Sequence, residues 1–214
     1  MNELRITEIF YSLQGESRTI GLPTVFVRLT GCPLRCTYCD TEYAFHGGSK
    51  LSLEAILEQV ASYKPRLVTV TGGEPLAQKN CWPLLEALCN QGYEVSLETS
   101  GAISVEGIDP RVIKVVDLKT PDSGEVEKNL YGNMSLLAKR DQVKFVISSR
   151  KDYDWASFKL DEYQLSNKVD DILFSPNFGH QDASELANWI VEDNLPVRFQ
   201  LQLHKILWDD AAGR

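Results

Sequence analysis

Cys32, Cys36 and Cys39 stand within eight residues, in the run Gly31-Cys32-Pro33-Leu34-Arg35-Cys36-Thr37-Tyr38-Cys39-Asp40, and no fourth cysteine lies nearby. A CxxxCxxC loop constrains the fold to bring three thiols onto one inorganic partner. Three thiolates hold three irons of a four-iron cluster and leave the fourth iron without a protein ligand. A cluster built only for electron transfer has its irons capped by cysteine. An open iron is a place for a small molecule, so the spacing points to cluster-driven chemistry on a ligand. Zinc, with His46 as fourth ligand, is the alternative. Structural zinc sites pair two Cys/His knuckles at longer separation, and that second half is missing here.

The rest of the composition narrows the partners. The chain has 214 residues, 43% hydrophobic and 24% charged, an ordinary balance for one globular domain spanning 1–214. A net charge of -8 argues against nucleic acid as a partner. The opening Met1-Asn2-Glu3-Leu4-Arg5 turns amphipathic at once, and no apolar run approaches membrane-span length, so neither a secretory leader nor a membrane is expected. Five cysteines, three of them crowded, fit a reduced cytoplasmic protein better than a disulfide framework. Cys81 and Cys89 sit among apolar residues of a predicted helix and read as buried structural thiols.

The pattern along the chain alternates strands with helices. Thr24–Leu29 is β-branched and apolar, and it runs directly into the cysteine loop. Ser52 caps a helix to Tyr63 whose apolar residues Leu53, Ile56, Leu57 and Val60 share a face. Arg66–Thr71 reads as a buried strand, Trp82–Asn90 as a helix closed by Gly92, and Tyr93–Glu98 as the next strand. Further strands are expected at Ile113–Leu118, Val143–Ser148, Ile172–Phe174 and Val197–Leu203, with a helix at Ala183–Glu192 and none between Ser100 and Arg111. This is an α/β chain with a mostly parallel sheet and shortened outer helices. In such sheets ligands sit at the carboxyl ends of the strands. The cysteine loop, Gly72-Gly73-Glu74, Glu98-Thr99-Ser100 and Asp117-Leu118-Lys119 all follow strands, which places them on one rim.

The three cysteines, followed after the next strand by Thr71-Gly72-Gly73-Glu74-Pro75, resemble the radical S-adenosylmethionine (SAM) superfamily. That resemblance implies a partial barrel and a [4Fe-4S] cluster whose open iron is chelated by SAM. Electron transfer from the cluster then yields an adenosyl radical that abstracts a substrate hydrogen. Phe10-Tyr11-Ser12-Leu13-Gln14-Gly15-Glu16, Arg28, Cys39-Asp40-Thr41 and Leu201-Gln202-Leu203-His204-Lys205 sharpen the match. Together they resemble the 7-carboxy-7-deazaguanine synthase family over about Ile6 to Trp208. The family converts 6-carboxy-5,6,7,8-tetrahydropterin to 7-carboxy-7-deazaguanine with loss of ammonia, on the route to queuosine and related 7-deazapurines.

The resemblance also implies roles. Leu13, Gln14, Gly15 and Glu16 line a pterin pocket, and the amide and carboxylate suit an aminopyrimidinone edge. Arg28, Thr71 and His204 contact substrate, the guanidinium fork of Arg28 suiting a carboxylate. Val197–Leu203 as a strand would carry His204 at its end. Gly73, Glu74 and Ser100 face SAM, as do Asp117, Leu118 and Lys119, and the later segment Ser175-Pro176-Asn177-Phe178. Thr41 is the Mg²⁺ position; Mg²⁺ keeps waters and takes oxygens from its substrate. A homodimer and a flavodoxin- or ferredoxin-type electron donor are implied as well. Six residues follow Trp208, and no side chain is assigned as general acid or base. His46 and His180 read as surface residues, and Asp170-Asp171 as a solvated strand entrance. The runner-up activity is an activase that makes a glycyl radical on a partner protein, which would need an open groove for a peptide.

Overall fold

Alternation of buried and exposed side chains makes the first element a strand, β1 (Glu3–Leu13), with Leu4 and Ile6 turned inward. The computed structural model describes residues 3–209, 211 and 213. β1 pairs antiparallel with β2 (Pro23–Leu29), Leu13 opposite Pro23 and Ile6 opposite Leu29, and on its outer side with β3 (Ser49–Ser52). From β2 onward the pairing is parallel: β4 (Leu67–Gly72), β5 (Glu94–Thr99), β6 (Ile113–Asp117), β7 (Gln142–Ile147), β8 (Asp171–Pro176) and β9 (Arg198–Phe199). The sheet order is β3-β1-β2-β4-β5-β6-β7-β8-β9. Strands covered on both faces need apolar residues throughout, and Val68, Val70, Leu97, Val116, Phe145 and Phe174 are all buried.

The helices are few and mostly short: α1 (Leu53–Ser62), α2 (Cys81–Asn90), α3 (Arg150–Glu162), α4 (Leu165–Lys168), α5 (Ala183–Glu192) and α6 (Leu203–Trp208). Side-chain caps start three of them. Ser52 Oγ accepts from the Ala55 amide (3.2 Å), Ser149 Oγ from the Asp152 amide (3.4 Å) and Asp182 Oδ1 from the Glu185 amide (2.9 Å). No α-helix crosses between β5 and β6, and only 3₁₀ turns cross between β6 and β7. The result is the reduced barrel with thin crossovers. Cys81 and Cys89 are buried in the core, where their thiols act as small apolar groups. Trp155 and Trp189 pack against the same core.

Two local expectations need correction, and the longest helix is absent from the sequence reading. Val197–Leu203 does not continue as a strand: only Arg198 and Phe199 pair with β8. The chain then turns inward, the Leu203 amide donates to the Gly15 carbonyl (3.0 Å), and His204 lies in α6. Asp171 is not a solvated entrance; it is buried and holds Arg18 and Arg198. α3 has no counterpart in the sequence reading, because its dense outer charges hide the buried positions Tyr153, Ala156 and Leu160.

Candidate active site

The carboxyl ends of the parallel strands form one rim, and two of its loops are laced together by backbone. The Gly73 amide donates to Leu29 O (3.2 Å) and the Glu74 amide to Gly31 O (2.8 Å), so the glycine turn after β4 lies directly on the cysteine loop after β2. A Cβ on Gly73 would stand 2.5 Å from Gly31 O and 2.7 Å from Cys32 Cβ, an approach that only glycine permits.

Cys32, Cys36 and Cys39 line a single open cavity of about 1060 Å³ together with Gly73, Ser100, Asp117, Lys119, Asn177 and Phe178. All three are free thiols and partly buried. Burial raises the pKa of Cys32 and of Cys39, and pushes Cys36 up to about 11. Left alone these thiols hold their protons at neutral pH. Thiolates there need a cationic inorganic partner, which fits an iron–sulfur cluster. Among the described residues no three His, Cys, Asp or Glu side chains gather as a site for a single metal ion, and His46 is exposed.

The cofactor-side residues separate into those that face this cavity and those that do not. Asp117 Oδ2 accepts from Lys119 Nζ (2.8 Å). Burial opposes the Lys119 charge, but Asp117 together with Tyr38 and Cys36 outweighs it and holds the ammonium protonated above the usual lysine range. Asp117 Oδ1 is buried and has no hydrogen-bond partner among the described residues, so it is an acceptor suited to a hydroxyl or amino group of a bound nucleoside. Leu118 is a core residue, and Ser175 and Pro176 are buried in β8 behind the lining. Glu74 is also withdrawn. Its carboxylate, expected from the sequence to face SAM, is buried and accepts from the Leu76 amide (2.9 Å), the Ser100 amide (2.7 Å) and Thr99 Oγ1 (3.0 Å). It braces the glycine turn against the end of β5.

A second lobe, about 1160 Å³, opens from the first and is lined by Leu13, Gln14, Gly15, Arg28 and His204. Glu16, Thr41, Thr71, Glu98, Lys144 and Gln202 line both lobes, so the two form one continuous site. The sequence reading therefore brings Leu13, Gln14, Gly15, Glu16, Arg28, Thr41, Thr71 and His204 into one place. Gln14 is buried and already engaged: Nε2 donates to Thr69 Oγ1 (3.2 Å) and Glu98 Oε1 (3.3 Å), and Oε1 accepts from the Glu16 amide (3.1 Å). Arg28 Nε donates to Glu8 Oε1 (2.7 Å), and its guanidinium lies 5.8 Å from the ring centres of Phe10 and Tyr43. Burial lowers the His204 pKa, so its imidazole is neutral at pH 7. Asp209, Ala211 and Gly213 of the segment after α6 also line this lobe. Arg214 lies outside the described residues.

Among the lining residues with no role in the sequence reading are four polar ones at the junction of the lobes, Glu98, Lys144, Gln202 and Lys205. Glu98 accepts from Thr71 Oγ1 (2.9 Å); burial and the nearby Glu16 carboxylate raise its pKa. Lys144 Nζ donates to Glu16 Oε2 (2.5 Å); burial opposes its charge, but Glu16 together with Asp117 and Glu98 overcomes that cost and holds it protonated. Gln202 Nε2 donates to Glu16 Oε1 (2.8 Å). Lys205 pairs with Asp40 (3.2 Å); burial opposes the Asp40 charge, yet Lys205 and the Thr41 hydroxyl hold its carboxyl at about 2. A charged residue inside the apolar run Val143–Ser148 was the available signal for Lys144.

The Radical SAM superfamily model matches residues 26–117, from β2 to the end of β6. The 7-carboxy-7-deazaguanine synthase of Koribacter versatilis is 45% identical over 219 residues, covering 96% of this chain and 97% of that protein. The synthase of Chlorobaculum tepidum is 44% identical over 98% of this chain and 97% of its own length. The chain belongs to the 7-carboxy-7-deazaguanine synthase family. The fold agrees: the crystal structure of QueE from Escherichia coli superposes with a TM-score of 0.79 at 24% identity, covering 95% of this chain and 96% of that one. Streptococcus suis SuiB bound to S-adenosylmethionine shares the fold more distantly, with a TM-score of 0.55 over 80% of this chain and 48% of SuiB. Membership of the radical SAM superfamily brings a [4Fe-4S] cluster and SAM as cofactors, and the three-thiol cavity with its unpartnered Asp117 oxygen fits both.

Proposed function

We propose that this enzyme converts 6-carboxy-5,6,7,8-tetrahydropterin to 7-carboxy-7-deazaguanine with loss of ammonia. The observation that carries this is the continuity of the site. The cysteine lobe opens directly into a polar lobe of mixed charge, with Arg28 and Lys144 as cations and Glu16 and Glu98 as anions. A zwitterion-like bicyclic substrate bearing one carboxylate and an aminopyrimidinone suits that lobe. An activase working on a partner protein would need a groove for a peptide.

Cys32, Cys36 and Cys39 would hold the cluster, and Gly73, Ser100, Asp117, Lys119, Asn177 and Phe178 would surround SAM. When bound, these groups supply one-electron, hydrogen-abstracting chemistry. The chain's own residues do the rest. Arg28, kept oriented by Glu8, pairs with the substrate carboxylate. Glu16 and Glu98 accept N–H bonds from the pyrimidinone edge. Glu98, with its raised pKa, is placed to carry a proton during loss of ammonia. His204 presents a neutral imidazole. Thr41 donates to Asp40 Oδ1 (2.8 Å), which leaves its lone pairs free, and it would be the residue that holds a Mg²⁺ able to polarise substrate oxygens.

The whole chain serves as one catalytic domain in this proposal, working as a homodimer in the cytoplasm with a flavodoxin- or ferredoxin-type donor. Its free thiols suit a reducing compartment, and among the described residues no helix is long and apolar enough to cross a membrane. The test is direct. Anaerobically reconstituted protein, given reductant, SAM, Mg²⁺ and the carboxytetrahydropterin, is expected to form 7-carboxy-7-deazaguanine by mass and absorbance. Cleavage of SAM with no deazapurine would refute the assignment.

A further inference from the structure

The pterin lobe has a floor made by a loop. β1 and β2 run antiparallel, so residues 14–22 connect them at the end of the sheet where the parallel strands begin. Gln14, Gly15 and Glu16 face the lobe; Ser17 and Arg18, the next two residues, face the strands at the far side of the sheet.

The fastening of this loop is specific and strong in its chemistry. The Ser17 amide donates to Gln200 Oε1 and Gln200 Nε2 donates back to Ser17 O, both at 2.9 Å. Gln200 is buried, and Ser17 takes a left-handed backbone (φ 64°) to meet it. The Arg18 amide donates to Gln142 Oε1 (2.9 Å) at the first residue of β7. Arg18 Nε bonds Asp171 Oδ2 at the first residue of β8, and Arg198 of β9 takes the other oxygen, Asp171 Oδ1, at 2.8 Å. The loop that leaves β1 is thus bolted to β7, β8 and β9, which lie at the opposite side of the sheet order.

We propose that the Arg18–Asp171–Arg198 clamp sets the height of the floor and so positions Glu16 for substrate. Arg18 and Asp171 touch neither lobe, so they are positioning residues. The proposal rests on the assignment of Glu16 to the pterin. Only Ser17 separates Glu16 from Arg18, so a floor released at Arg18 moves Glu16 away from Lys144 and Gln202, its present partners. Glu16 and Ser17 also edge the cysteine cavity, but the residues assigned to SAM, among them Gly73, Ser100, Asp117 and Lys119, follow β4, β5 and β6, so SAM affinity is expected to be insensitive to the clamp.

The test uses reconstituted holoenzyme with Arg18→Ala, Arg18→Lys and Asp171→Asn. Loss of one hydrogen bond to a charged group predicts a rise in KM for the pterin of about tenfold in Arg18→Ala. The SAM dissociation constant is expected to stay within about twofold, and Arg18→Lys to recover part of the loss. Hydrogen exchange of the amides at 15–18 should accelerate in Arg18→Ala while the sheet amides stay protected. An unchanged KM with faster exchange would overturn the positioning role, as would a parallel loss of SAM affinity. If wild-type protein does not turn over the pterin, the proposed function fails separately; the exchange measurement still decides whether the clamp holds the loop. Asp171→Asn keeps the shape at the buried site; Arg18, whose side chain is 35% exposed, is the variant least prone to unfold the chain.

Discussion

Gly15 shows how tightly single residues are held in the pterin lobe. A Cβ at that position would lie 2.1 Å from His204 Nδ1, closer than any real contact of its kind. Gly15→Ala is therefore expected to push His204 and α6 outward. The KM for the pterin should rise by about tenfold or more while SAM affinity holds, because one displaced buried contact costs on the order of 1–3 kcal/mol. A Michaelis constant equal to wild type would remove His204 from the substrate's surroundings. Asp40 offers a test by pH. Its folded pKa of about 2 lies below the ordinary carboxylate value of about 3.9, so its pairing with Lys205 stabilises the fold above that value and is lost as pH falls towards 2. The Asp40 side chain is 40% exposed, so solvent screening limits the gain to about 0.5 kcal/mol. Asp40→Asn should lose that much in chemical denaturation at pH 7 and only a small part of it at pH 2. Thr41→Ala should blunt the activation of turnover by Mg²⁺, and an unchanged Mg²⁺ response would remove Thr41 from that role.

Among the elements, the end of β5 depends on a carboxylate from the neighbouring turn. Glu74 satisfies two backbone amides and the hydroxyls of Thr99 and Ser100 in a dry setting. Glu74→Ala would strand those donors, at a cost of about 2–4 kcal/mol in denaturation. It should also weaken SAM binding, because Gly73 and Ser100 lose their common brace. Full stability in that variant would show the network to be dispensable. The parallel strands were legible in the sequence because burial on both faces writes itself as apolar runs such as Leu67–Val70 and Val143–Ile147. α3 and the turn into α6 were not. In α3 surface charge overwhelms a three-residue buried stripe. At Val197–Leu203 an alternating pattern mimics a strand, but Gln200 and Leu203 are captured by residues 15–17, nearly two hundred positions away in the chain.

At the scale of the molecule, an open sheet becomes an enclosing vessel only because its two sides are tied. Side-chain bonds from the floor loop after β1 reach β7, β8 and β9, and α6 is tied to Gly15. The three thiols and the glycine turn were legible as spacing. The central ionic group of Glu16, Glu98 and Lys144 was legible only in part, because it is assembled from β5, β7 and the floor loop, and no local pattern announces such a meeting. Everything in the account hangs on an iron left open at the three-cysteine loop. The most direct test is Mössbauer spectroscopy of ⁵⁷Fe-reconstituted protein before and after SAM is added. The account predicts a [4Fe-4S] cluster in wild type, one iron site shifting on SAM addition, and loss of both in Cys36→Ala. Four equivalent irons that ignore SAM, or protein that binds zinc and no iron, would contradict it.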